Sequence, residues 1–387
     1  MVSLGIEELL ASPLPSLQGR RVGLLCNQAS VDRNFVHSRD LVVDRLPGQL
    51  TCLFSPQHGF FAEKQDNMIE SDHLVDRATG LPVFSLYGEA RRPTVEMFDR
   101  LDVLLIDLPD VGTRVYTFLY TMAYCLAAAA EFGKKVVVLD RPNPINGLAV
   151  EGNILQPECS SFVGLYPIPM RHGLTFGELA VMLNQHFRIG AELEVVWMKG
   201  WQRAMFYRDT GLPWVFPSPN MPTPETALVY PGQVIWEGTN ISEGRGTCLP
   251  FELCGAPFWD PDEMLAEISS TPLPGCTLRR MAYEPTSNKW AGETCYGFHL
   301  LVTDPESFMP YRTSLALLQA TMRLYPESFA LKKPPYEYEY IKTPIDLILG
   351  SNILQKSLLD HDIMTLEEGW QGELETFKAI RRDYLHY

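Results

Sequence analysis

The first two hundred residues alternate between two textures. Short runs, "RVGLLCN" (21–27), "LTCLFSP" (50–56), "PVFSLY" (82–87), "DVLLIDL" (102–108) and "KVVVLD" (135–140), are apolar at nearly every position. A strand with one wet face would alternate polar and apolar residues, so these runs predict strands buried on both faces. Between the last two, "TFLYTMAYCLAAAAEFG" predicts a helix ending at Gly133. "TFGELAVMLNQHF" (175–187) predicts another, with Thr175 as N-cap and Glu178 at the capping-box position, and "LEVVWM" (193–198) predicts one more strand. This alternation implies an α/β fold around a parallel, doubly wound sheet.

The pattern then breaks. "GLPWVFPSPNMPTPET" carries five prolines in sixteen residues, too many for a helix or a central strand. A domain boundary is placed near residue 225, giving 1–225 and 226–387. Beyond it "DPDEMLAEISS" and "RTSLALLQATMRLYP" predict helices, and "CTLRRMAYEP" and "YGFHLLVTD" predict strands, which makes a smaller, mixed α+β domain. A chain of 387 residues is long enough for two such units.

Charge and composition narrow the function classes. The net charge is -15 and no Lys/Arg run could track a phosphate backbone, which argues against nucleic acid as a partner. No apolar run approaches the roughly 18 residues that span a bilayer. Glu7 and Glu8 stand where a secretory signal would be basic and then apolar, so a cytoplasmic location is expected. The eight cysteines are scattered without a CxxC pair and read as buried thiols rather than zinc ligands or disulfides. No metal site and no cofactor is expected, and the sequence gives no oligomeric state.

In open parallel sheets, ligands bind beyond the carboxyl ends of the strands. Applied here, that rule gathers His58, Glu63, Asp107, Asp110, Arg114, Tyr116, Asp140, Arg141 and Asn143 at one edge; the loops "MRHGLTFGE" and "PSPN" add Arg171, His172, Ser218 and Asn220. Each has a structural alternative. Strand-end aspartates cap loops, Asn143 between prolines suits a turn, and His58 suits a hydrogen-bonded core position. A third element is "EGTNISEGRGT" (237–247), polar and glycine-dense between apolar neighbours, which adds Glu237, Thr239, Asn240 and Arg245. No P-loop, GxGxxG, HExxH or GxSxG motif is present. What remains is an inventory of carboxylates, Arg, Asn, Tyr and His, suited to binding and cleaving a sugar.

"GLPVFSLYG", "DVGTRVYT", "LDRPNPING", "RHGLTFGELA", "PSPNMPTPET" and "EGTNISEGRGTCLPFE" together resemble the bacterial DUF1343 family, described as NamZ-type exo-β-N-acetylmuramidases. The resemblance runs in order from about residue 20 to the end. It implies a Rossmann-like amino-terminal domain, a smaller α/β carboxy-terminal domain, and a cleft between them that binds a small carbohydrate or muropeptide. The implied reaction is release of non-reducing terminal N-acetylmuramic acid from peptidoglycan fragments. Glu237 and Glu63 are the expected catalytic carboxylates, with Asp110 and Asp140 as substitutes; Arg114, Arg141, Arg171 and Arg245 are the candidate cations for the sugar's lactyl carboxylate. The chain departs from the family at the strand-end loop, where Gln57 stands in place of a glutamate before the histidine. That departure motivates the alternative of a non-catalytic muropeptide-binding protein.

Overall fold

A computed structural model describes all residues, Met1–Tyr387. Nine strands form in the first half: β1 (Val22–Leu25), β2 (Leu50–Ser55), β3 (Leu74–Val75), β4 (Pro82–Ser85), β5 (Val103–Ile106), β6 (Lys135–Leu139), β7 (Glu151–Ile154), β8 (Pro169–Arg171) and β9 (Glu192–Val196). Seven make one sheet in the order β3-β4-β2-β1-β5-β6-β9. All neighbours are parallel except β3, which runs antiparallel along the β4 edge. Counted in chain order, the six parallel strands lie 3-2-1-4-5-6, the Rossmann arrangement, with the topological switch between β1 and β5. Both switch strands are buried at every position, which is why their sequences do not alternate.

The predicted helix ends hold. The helix Phe118–Phe132 stops at Gly133, whose φ of +62° closes it through a bond from its N–H to the Ala129 carbonyl. The helix Phe176–Gln185 opens on the reciprocal capping box of Thr175 and Glu178. The proline-rich stretch differs from its reading as purely irregular chain. It ends by starting a helix, Pro224–Gln233, with Thr223 as cap and Pro224 in the first turn, where a missing N–H costs nothing.

The second half adds a three-stranded antiparallel sheet in the order β10-β12-β11, formed by β10 (Leu253–Ala256), β11 (Cys276–Tyr283) and β12 (Cys295–Val302). Helices Pro224–Gln233 and Pro261–Glu267 pack on its central strand β12, helix Pro310–Leu324 packs on both of them, and helix Ile363–Arg382 packs on β7 of the first half. One continuous apolar core joins the two halves, running from Leu104 and Phe118 through Trp236 to Phe298 and Phe377. The chain ends back on the first sheet. The Tyr387 hydroxyl donates to Asp140 at 2.5 Å and accepts from the Met198 N–H at 2.8 Å, and His386 stacks on Trp197 with centroids 4.0 Å apart. No helix is long and apolar enough to cross a membrane.

Candidate active site

At the switch point, where a dinucleotide would sit in this topology, a buried plug of side chains ties the strand-end loops together. Arg141 grips Asp107 with two parallel bonds, Nε to Oδ1 at 2.5 Å and Nη2 to Oδ2 at 2.9 Å. Ser38 donates to the same carboxylate, Ser30 donates to the Asp107 carbonyl, and all four residues are buried. A bidentate pair so enclosed fixes the loops after β1, β5 and β6. Both oxygens of Asp107 are thereby occupied.

The cleft opens beside this plug, above β2 and the loop that follows β5. Its empty space, counted out to open solvent, is about 450 Å³. Its walls are Gln57 and His58 from the loop after β2, Tyr116 and Thr117 before the helix Phe118–Phe132, Ser218 and Asn220 from the proline-rich stretch, and Glu237, Arg245, Tyr336 and Glu337 from the second half.

His58 holds a left-handed backbone, φ +72°, a conformation that costs energy in a non-glycine residue and concentrates at functional sites. Its Nδ1 lies 2.8 Å from the Lys64 carbonyl, which assigns the proton to Nδ1 and leaves Nε2 as an acceptor. Burial, reinforced by the nearby Arg245 charge against the opposing Lys64 bond, lowers its pKa to about 4. His58 is therefore neutral at physiological pH, an acceptor rather than a cation.

The turn Val234–Gly238 delivers Glu237. Its carboxylate accepts from Arg245 Nη2 at 2.6 Å, the Tyr336 hydroxyl at 2.6 Å and Asn67 Nδ2 at 2.9 Å. Burial pushes its pKa up, but Arg245, Tyr336 and Lys289 together outweigh burial and hold it below the ordinary range. Glu237 is ionised.

Glu337 is the opposite case. Its carboxyl accepts from the Tyr87 hydroxyl at 2.6 Å and from Gln57 Nε2 at 3.1 Å. Thr117 Oγ1 donates to Gln57 Oε1 at 2.5 Å, which fixes the amide with its N–H groups toward Glu337. Burial and the Glu237 charge oppose those donors, and the pKa rises to about 7. Glu337 and Tyr338 are both left-handed, with φ of +47° and +65°. Two carboxyls with pKa values pushed apart on one cleft are the arrangement that separates a proton donor from a fixed charge.

The polar loop divides its labour. Glu237 and Arg245 face the cleft, whereas Thr239 donates to the Trp236 carbonyl, and Asn240 bridges Ser328 and Ala330. Glu243 binds Arg245 at 3.2 Å and Lys289 at 2.7 Å. Gly246, φ +79°, passes so close to Ser287 that an added Cβ would lie 2.5 Å from its carbonyl oxygen.

Of the residues expected at the site, His58, Tyr116, Ser218, Asn220, Glu237 and Arg245 line the cleft. The Tyr116 hydroxyl, though buried, has no hydrogen-bond partner of good geometry. The remainder lie elsewhere. Glu63 is exposed outside the cleft and accepts from the Phe61 N–H at 3.1 Å. Asp110 lies in a separate crevice with Arg141; its carboxylate caps Gly112 and meets His172 Nε2 at 3.3 Å. Asp140 is wholly buried, bound by Gly177, Thr175 and Tyr387. Arg114 gives its guanidinium to four carbonyls, those of Asn153, Ile168, Ile348 and Leu349. Arg171 donates to the Ile145 carbonyl, and Asn143 bridges Leu174 and Ile145. All of these except the exposed Glu63 point inward, because a buried polar group at a strand end must find partners and the loop backbones supply them. Gln57 is expected only as a departure from the family, and Tyr87, Tyr336 and Glu337 are not among the expected site residues. The only signal for the last two was "PPYEYEY", an acid–aromatic alternation behind two prolines that suits no core element.

Comparison with known proteins gives one answer throughout. The family model for the amino-terminal part of exo-β-N-acetylmuramidase NamZ matches residues 22–225, and that for its carboxy-terminal part matches residues 228–387. The chain is 43% identical to the peptidoglycan β-N-acetylmuramidase NamZ of Bacillus subtilis (strain 168), over 100% of this chain and 91% of that protein. Two crystal structures of DUF1343 family proteins from Bacteroides fragilis NCTC 9343 superpose over 100% of this chain and 99% of each of theirs. Their TM-scores are 0.90 at 32% identity and 0.76 at 27% identity. Full-length agreement in sequence and in fold places this chain in the NamZ exo-β-N-acetylmuramidase family of glycosidases.

Proposed function

We propose that this protein removes N-acetylmuramic acid from the non-reducing end of peptidoglycan fragments, with Glu337 as proton donor and Glu237 as the fixed negative charge. The observation that carries the reading is a pair of buried carboxyls on one cleft, Glu237 paired with the Arg245 cation and Glu337 hydrogen-bonded only by the neutral donors Tyr87 and Gln57. Cleavage needs a proton from Glu337 at the glycosidic oxygen as the C1–O bond breaks, negative charge facing the anomeric carbon as positive charge develops there, and a water that then adds to C1 and returns a proton to the Glu337 carboxylate. At neutral pH Glu337 retains a substantial protonated fraction and Glu237 carries the charge. Tyr116, Ser218, Asn220 and the His58 acceptor supply hydrogen bonds for ring substituents. Gln57 does not weaken this assignment. An amide there donates to Glu337, whereas a second carboxylate 3.1 Å away would compete with it for one proton. We place the domain boundary near residue 225, so that the amino-terminal half brings His58 and Tyr116 and the carboxy-terminal half brings both acids. The test is incubation with a chromogenic β-N-acetylmuraminide. Release of the chromophore by the wild-type protein, lost in Glu337→Gln and Glu237→Gln, supports the reading. An inert wild-type protein that still binds N-acetylmuramic acid would replace it with the non-catalytic alternative.

A further inference from the structure

Next to the cleft, sharing Asn67, Glu237 and Arg245 with it, lies a chamber without a single apolar side chain. Asp66 and Asn67 reach it from the loop after β2, Asn288, Lys289 and Lys332 from the second half, and Arg245 lies where the two chambers meet. Its cations are not equally committed. Lys289 is spent on Glu243 at 2.7 Å and on the carbonyls of Trp236 and Ile241. Arg245 gives Nη2 to Glu237 and pairs electrostatically with Glu243, its Nε 3.2 Å from the carboxylate, but its buried Nη1 has no acceptor, although the residue is only 8% exposed. Lys332 is exposed and holds no carboxylate; its ammonium stands 6.0 Å from the Tyr336 ring centroid. Its backbone N–H binds the Gly238 carbonyl at 2.9 Å, which anchors the residue beside Glu237.

We propose that Arg245 Nη1 and Lys332 form a carboxylate subsite that reads the lactyl group of N-acetylmuramic acid. The inference rests on the function proposed above and adds to it the residues that separate the muramic sugar from N-acetylglucosamine. The other strand-end arginines, Arg114, Arg141 and Arg171, are engaged with protein groups outside the cleft. A buried donor without an acceptor is costly, and a ligand carboxylate removes that cost. Lys332 works differently: it is a mobile, hydrated charge whose attraction is screened by salt. Asp66, which accepts from Asn288 at 3.4 Å, repels an anion on the same wall and so raises the requirement for both cations.

The test uses Lys332, because Arg245 also holds Glu237. Binding of N-acetylmuramic acid, its lactyl methyl ester and N-acetylglucosamine is measured by calorimetry at low salt on the wild type, Lys332→Ala, Lys332→Glu and Lys332→Arg. The wild type should bind the free acid more tightly than the other two sugars. Lys332→Ala should weaken the free acid about threefold to fivefold, the range of one exposed ion pair. Lys332→Glu should weaken it on the order of tenfold or more, and Lys332→Arg should retain most of the affinity. The ester and N-acetylglucosamine should change less than twofold in every variant. Equal affinity of the wild type for acid and ester, or an unchanged preference in Lys332→Ala and Lys332→Glu, would overturn the subsite. Since binding is read without turnover, that failure is distinct from failure of the hydrolytic reading, which the chromogenic assay detects.

Discussion

Replacing Glu337 by Gln should inactivate the protein and, at alkaline pH, make the fold more stable relative to wild type than it is at acid pH. The carboxyl is 2% exposed, and its pKa rises from the ordinary 4.5 to about 7. Below pH 4.5 it is protonated in both folded and unfolded chains and contributes no pH dependence. Between 4.5 and 7 the folded state keeps a proton that the unfolded state has released, so stability falls as pH rises, and it levels off above 7. The full span corresponds to about 3 kcal/mol, and for a chain of 387 residues to about 4 °C in Tm. Gln cannot titrate. It also sets one amide N–H against Gln57 and loses a hydrogen bond, at about 1 kcal/mol, but that cost is independent of pH. The quantity to measure is therefore a double difference, wild type against variant and pH 4.5 against pH 8, from urea or thermal melts. It should favour the variant at pH 8 by about 3 kcal/mol, while turnover of an unactivated glycoside falls at least about a hundredfold. A stability difference that is the same at both pH values would refute the argument that burial and Glu237 hold a proton on Glu337.

Three further outcomes follow from the geometry. Glu237→Gln should lower turnover on an unactivated glycoside by at least about a hundredfold, while circular dichroism shows the fold retained; near-normal rates would make Glu237 structural. Glu63→Gln, outside the cleft, should leave kcat/KM within about twofold, and a tenfold loss would return Glu63 to the site. Arg141→Ala leaves Asp107 buried without its cation, so urea denaturation should show a loss of about 3–5 kcal/mol; a loss below 1 kcal/mol would contradict the role of the plug.

The sheet was legible because strands buried on both faces must be apolar throughout, and β1, β2, β5 and β6 obey that requirement almost without interruption. Loops beyond strand ends were legible as places where polar groups gather. The direction each side chain takes was not. Arg114, Asp140 and Asn143 sit in such loops, as His58 and Tyr116 do, yet they turn inward to satisfy carbonyls and N–H groups that only the folded chain brings near. Glu337 was hidden for a different reason. It lies 280 positions from Gln57, its hydrogen-bond partner, and no local periodicity records a contact at that separation. The proline-rich stretch misled through its density, since Pro224 opens a helix rather than preventing one.

The central claim is that Glu337 and Glu237 together cleave a terminal muramic glycoside. The β-linked disaccharide of N-acetylmuramic acid and N-acetylglucosamine, with the muramic sugar at the non-reducing end, tests it most directly. Products are followed by mass spectrometry for the wild type and for Glu337→Gln. The account predicts free N-acetylmuramic acid and N-acetylglucosamine from the wild type and a rate at least about a hundredfold lower in the variant. An intact disaccharide with the wild type, or equal release by both proteins, would contradict it.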